Sequence, residues 1–308
     1  QGASVMEFPE WGIWNRLGID IDGEAASDRS GFSVSLSADG SIVAIGAPGN
    51  DGTVNGTDSG HVRVYKYSGA SWTQIGSDIN GDAAGDNSGS SVSLSADGTI
   101  VAIGAAWNDG KNGTDSGHVK VYKYNGMYDS WAQQGGDIDG EAANDGSGGS
   151  VSLSADGTIV AIGAIYDSGN GLNSGHVKVY KYNGIYDSWA QQGVDIDGEA
   201  ANDASGWPVS LSADGTIVAI GATGNDGTGL DRGHVRVYKY SNNNGWAQIG
   251  ADIDGEADYD ESGISVSLSA DGSIVAIGAI NNGGNGTKSG HVRVYKYSNN
   301  NGWAQIGA

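Results

Sequence analysis

Between Ser33 and Ser37, serine alternates with valine and leucine, the period of two that gives a strand one apolar and one polar face. Asp39-Gly40 follows, a pair suited to a tight hairpin. Residues 42–47, IVAIGA, are almost continuously apolar, as expected of a strand covered on both faces. His61–Tyr67 and Trp72–Ile79 complete four strand-like runs.

The pattern then returns. SLSADG recurs with its aspartate at Asp39, Asp97, Asp156, Asp214 and Asp271, spacings of 58, 59, 58 and 57 residues. Each copy is followed by IVAIGA, a polar glycine-rich segment, GHVRVYKY or GHVKVYKY, and a tryptophan segment. A four-stranded unit that cannot bury both faces alone, repeated five times, reads as the blades of a propeller. A stacked solenoid is the rival, though solenoids usually have shorter periods and distinct end caps. The expected fold is all-β, a five-bladed β-propeller of four-stranded antiparallel blades closed into a ring. One domain is expected over 11–308, with blades near 31–76, 89–135, 148–193, 206–250 and 263–308 and a tail over 1–10. Residues 11–30 supply an extra or closing strand and loop, because the tryptophan segment occurs a sixth time. Either Trp14–Ile19 or Trp303–Gly307 is surplus, and the surplus strand is expected to close the ring or to mediate self-association.

The order SGxSVSLSADG, IVAIGA, GHVxVY resembles the FG-GAP repeat of integrin α-subunit propellers. In that repeat FGxSV opens a blade, IGAP ends its second strand and GxVYVY forms its third. The first copy retains Gly31-Phe32 and Ile45-Gly46-Ala47-Pro48, and the resemblance runs from about Trp11 onward. It implies a propeller fold and a role in adhesion or binding. The calcium-binding members carry a DxDxDG-type hairpin loop, whereas the hairpin here is Ser-Ala-Asp-Gly, so each turn aspartate reads as a turn former.

Composition narrows the function. Of 308 residues 55 are glycine and only 3 proline, with no three-residue period, which excludes collagen. A net charge of −22, from 37 acidic and 15 basic residues, disfavours nucleic acid and anionic membrane surfaces as partners. The longest apolar stretches, such as Thr99–Trp107, are too short to cross a bilayer, so no membrane insertion is expected. Without cysteine there is no disulfide or thiolate metal site. The chain opens on Gln1, which fits processing of an upstream leader, and an extracellular or cell-surface location is expected.

More than half of the acids fall in the segments that lead into each blade, and only Arg29 offsets them there. Their one-three-five spacing is that at which calcium loops begin, although DIDGEA has its glycine at position four and mostly lacks a glutamate at twelve. Calcium is therefore the candidate cofactor, with Asp20, Asp22, Glu24, Asp78, Asp82, Asp137, Asp139, Glu141, Asp195, Asp197, Glu199, Asp252, Asp254 and Glu256 as candidate ligands. The alternative is a solvated acidic rim.

Recognition on a symmetric scaffold is expected where the repeats differ. Phe32, Trp107, Tyr166 and Trp207 are such positions, and exposed aromatics there suit a protein or glycan partner on the loop face. All five histidines, His61, His118, His176, His234 and His291, share the GHV position, which argues for a structural role like that of the Gly-His pair in WD-repeat blades. No polar cluster that breaks the repeat is visible. The expected function is thus non-enzymatic binding, adhesion or assembly, with a carbohydrate-binding propeller as the alternative.

Overall fold

The computed structural model describes residues 15–52, 55–227 and 229–307. Blade 1 comprises β1 (Ser33–Leu36), β2 (Ile42–Ala47), β3 (His61–Tyr67), β4 (Trp72–Gln74) and a two-residue β5 (Ile79–Asn80). Blade 2 runs through β6 (Ser91–Leu94), β7 (Ile100–Ala105), β8 (His118–Asn125), β9 (Ser130–Gln133) and β10 (Ile138–Asp139). Blade 3 holds β11 (Ser147–Leu153), β12 (Ile159–Ala164), β13 (His176–Asn183), β14 (Ser188–Gln191) and β15 (Ile196–Asp197). Blade 4 holds β16 (Ser205–Leu211), β17 (Ile217–Ala222), β18 (His234–Ser241), β19 (Gly245–Gln248) and β20 (Ile253–Asp254). Blade 5 ends the chain with β21 (Ser262–Leu268), β22 (Ile274–Ala279), β23 (His291–Ser298) and β24 (Gly302–Gln305). All strand pairs are antiparallel. The fold is a five-bladed β-propeller.

The runs read from the sequence fall on the first three strands, but the fourth is broken. β4 ends at Gln74, Gly76 turns the chain at φ 69°, and β5 then re-pairs with β3 through Val62 and Ile79. The break lets the chain pass the next blade's Trp131, whose indole Nε1 donates to the Ile75 carbonyl at 2.9 Å. Every tryptophan of the series does likewise, down to Trp303 on Ile249 at 2.8 Å, and each packs on a tyrosine of the neighbouring strand.

The core lies between blades. Ile42, Ala44, Val62, Val64 and Ile79 of blade 1 pack on Val92, Leu94, Val101 and Ile103 of blade 2, and the arrangement repeats down the chain. Backbones come close there. A Cβ on Gly46, Gly104, Gly163 or Gly221, the glycines of IVAIGA, would collide with a carbonyl oxygen of the following blade, Gly89, Gly148, Gly206 or Gly263.

Blades thus pack 1 on 2, 2 on 3, 3 on 4 and 4 on 5, and among the described residues the expected closure is not made. Among the described residues blade 5 has no such packing on blade 1. The four junctions do not bring blade 5 round onto blade 1 among the described residues. Leu36 of blade 1 is accordingly 59% exposed, whereas its counterpart Leu94 is 7% exposed. Blade 5 keeps the chain's own β24 as its outer strand. Trp14 lies outside the described residues; Leu17, three residues on, accepts the Trp72 indole Nε1 at 2.9 Å.

Candidate functional site

The segments entering each blade and those joining its second and third strands emerge on one face and bond to each other, as with Gly81 N donating to the Gly60 carbonyl. At its centre each entering segment buries one aspartate: Asp28, Asp86, Asp145, Asp203 and Asp260. Their carboxylates accept the backbone amide three residues back, for example Ala142 N to Asp145 Oδ2 at 2.7 Å. In blades 1, 4 and 5 an asparagine amide satisfies the same carboxylate, with Asn50 on Asp28, Asn225 on Asp203 and Asn282 on Asp260.

Blade 3 departs from this. Asp167 stands where the other repeats carry Asn50, Asn108, Asn225 and Asn282. A carboxylate cannot donate as an amide does, and Asp167 Oδ1 lies 3.2 Å from His176 Nδ1 instead. Burial pushes the Asp145 carboxyl above its usual range and the nearby charge of Asp167 adds to this, against the amide of Ala142 and the field of His176. The break was legible in the sequence as one Asp among four Asn, a polar substitution of a single atom group that an expectation of uniform repeats passes over.

Above this pair lies an aromatic surface. Trp107 and Tyr166 have ring centroids 5.8 Å apart at 35°, with 42% and 38% of their surfaces exposed. They line a cavity of about 580 Å³ together with Asp145, Asp167, Leu172 and Asn173. Tyr166 fits because residue 146 is glycine: a Cβ there would stand 3.0 Å from the tyrosine ring. Of the four aromatics expected to bind ligand, the structure unites these two. Trp207 lies beside Gly149 on the first strands, and Phe32 is exposed just before β1.

The acidic segments differ from the calcium reading. Arg63 lies between Glu24 of the segment before its blade and Asp78 of the segment after it. Lys120 likewise joins Asp82 and Asp137, Lys178 joins Glu141 and Asp195, and Arg236 joins Glu199 and Asp252. Arg293 meets Glu256, Lys111 meets Asp139, and Arg16 meets Asp20. Asp22, Asp197 and Asp254 make no ion pair among the described residues. An ammonium or guanidinium already holds the convergent carboxylates, and the remaining donor in each cluster is a histidine nitrogen. That donor set does not fit calcium, which takes oxygen ligands. The basic residue was in view as the Arg or Lys of every GHVRV and GHVKV; it escaped because charge was summed along the chain rather than across strands. Four of the histidines, His61, His118, His176 and His234, sit buried beside these carboxylates, and burial lowers the imidazoles of His61, His118 and His234 below their ordinary value.

Residues 20–65 and 75–122 match the FG-GAP repeat. Those two periods are FG-GAP repeats. No curated protein matches the sequence. A candidate 6-phosphogluconolactonase of Bacteroides uniformis superposes with a TM-score of 0.60 at 13% identity, over 90% of this chain and 71% of that one. The periplasmic gluconolactonase of Pseudomonas aeruginosa gives 0.57 at 14%, over 89% and 70%. Hydrazine synthase of Kuenenia stuttgartiensis gives 0.55 at 13%, over 93% and 69%. At these identities the likeness shows the fold alone. It nevertheless corrects the expectation of a chain without enzymatic activity. Gluconolactonases share this propeller fold, so fivefold repetition gives no ground for excluding catalysis.

Proposed function

We propose that this FG-GAP propeller binds carbohydrate on its loop face, between blades 2 and 3. The observation that carries the reading is the exposed Trp107–Tyr166 pair lining a cavity that also holds the Asp145 and Asp167 carboxylates. Aromatic faces take the apolar C–H faces of a sugar ring, and carboxylates accept from its hydroxyls. Blade 3 alone combines the aromatic with the paired acids, which gives a repetitive scaffold one distinct site. An extracellular location, where glycans are displayed, belongs to the same proposal.

A glycan array followed by calorimetry on the best ligand tests it. Trp107→Ala and Tyr166→Ala are each expected to weaken binding about tenfold, the scale of a lost stacking contact. Trp207→Ala, away from the cavity, should leave affinity unchanged. An array without binding, or equal loss in all three variants, would overturn the reading.

A further inference from the structure

The two ends of the blade series are the two halves of the junction that the molecule makes four times internally. Val92, Val151 and Val209, on the front faces of blades 2 to 4, are 7–9% exposed; Val34, their counterpart on blade 1, is 62% exposed. Val62, Val119, Val177 and Val235, on the back faces of blades 1 to 4, are fully buried; Val292 on blade 5 is 68% exposed. Gly278, the last IVAIGA glycine, meets only side-chain atoms of its own blade, whereas its four counterparts abut the next blade's backbone.

The polar groups are cut at the same plane. At internal junctions the Leu94, Leu153, Leu211 and Leu268 amides donate to Ser35, Ser93, Ser152 and Ser210 of the preceding blade. Ala38, Ala96, Ala155 and Ala213 each donate to the equivalent carbonyl of the following blade, ending at Ala270. Among the described residues this leaves Leu36 N and Ala38 O open at one end, and Ser267 Oγ and Ala270 N at the other. Arg293 Nε has no acidic partner among the described residues, whereas Arg63 Nε donates to Asp78 at 3.1 Å and Arg236 Nε, without a hydrogen bond, still lies 3.6 Å from Asp252. By position in the repeat, the residue matching Asp78 ahead of blade 1 is Asp20, held only in an exposed pair with Arg16.

From these matched ends we infer that the chain associates head to tail, the back of blade 5 receiving the front of blade 1 from a second copy. The occupant is specified because the open surfaces reproduce both sides of an interface already present in the fold. Val34 and Leu36 cover Val292, Leu36 N donates to Ser267, Ala270 N donates to Ala38 O, and Asp20 meets Arg293. The outer-strand segment is present at both ends, around residues 15–17 and at Gly302–Gln305, so one of the two is displaced at the junction. Such a contact is heterologous and propagates as an open chain or a ring of copies. Each copy carries a charge of −22, so association is read at ionic strengths of about 0.15 M or above, where repulsion is screened within about 8 Å.

Light scattering coupled to size exclusion tests the inference with Leu36→Asp and Val292→Asp, both at exposed positions. The wild-type mass should rise with concentration. Each variant alone should stay at the mass of one copy, because each retains only one functional end. An equimolar mixture should give the mass of two copies and no more, since the intact back of the first variant fits the intact front of the second. Should a charge unfold its blade, as circular dichroism would show, Leu36→Ser and Val292→Ser serve in the same mixture. A wild type that stays at one copy at every concentration, or a mixture that does not pair, would overturn the inference.

Discussion

Asp39 shows how much one side chain does in the repeat. Its Oδ1 accepts the Ser41 amide at 2.9 Å and the hydroxyls of Ser37 and Ser41, and these bonds lower its carboxyl to about 2. Asp97, Asp156, Asp214 and Asp271 are lowered by the same bonds, Asp271 also to about 2. A folded value below the unfolded one stabilises wherever the carboxylate is charged. The contribution of Asp39 is therefore complete above pH 3.8 and is lost as pH falls from 3.8 through about 2. Asp39→Asn should lower the melting temperature at neutral pH, and the difference from wild type should shrink as pH falls from 3.8 through about 2; a difference that stayed undiminished over that range would mean that the charge is not what matters. This role was readable from Ser-Ala-Asp-Gly alone, because the turn bonds lie within two residues. The site at blade 3 was readable only in part: Trp107 and Tyr166 stood out as departures from the repeat, but their meeting with Asp145 and Asp167 joins residues from three separate loops.

At the scale of the strand, IVAIGA gives the sharpest case. Its apolar residues were read correctly as a strand covered on both faces, yet its glycine is explained only by the next blade. The Gly148 carbonyl occupies the space a Cβ on Gly104 would need, and neither backbone can move without opening the blade junction. Gly104→Ala is expected to destabilise the fold by about 1–3 kcal/mol or more, as overpacking does. Gly278→Ala, facing only a serine side chain and Ile264 of its own blade, should cost clearly less in the isolated chain. Equal losses in chemical denaturation would contradict this account of the junction. The division of the fourth run into β4 and β5 was hidden for the same kind of reason. Nothing within WTQIGSDIN signals that the chain must step around the following blade's tryptophan.

For the whole molecule, five equal periods were enough to name a five-bladed propeller and not enough to close it. Blade number is a property of the sequence, whereas closure depends on an angle that accumulates across four interfaces, each set by contacts between residues about 57 positions apart. Among the described residues the result is an incomplete ring whose exposed Leu36 and Val292 belong to a junction it does not make on itself. The absence of cysteine allows a direct test. At an internal junction the equivalents of residues 34 and 292, Val92 and Val62, share one apolar cluster. The double variant Val34→Cys, Val292→Cys, treated with a short bis-maleimide crosslinker and analysed by mass spectrometry, should yield bridged pairs and longer chains of copies. Single chains bridged between their own residues 34 and 292 would show instead that the ring closes.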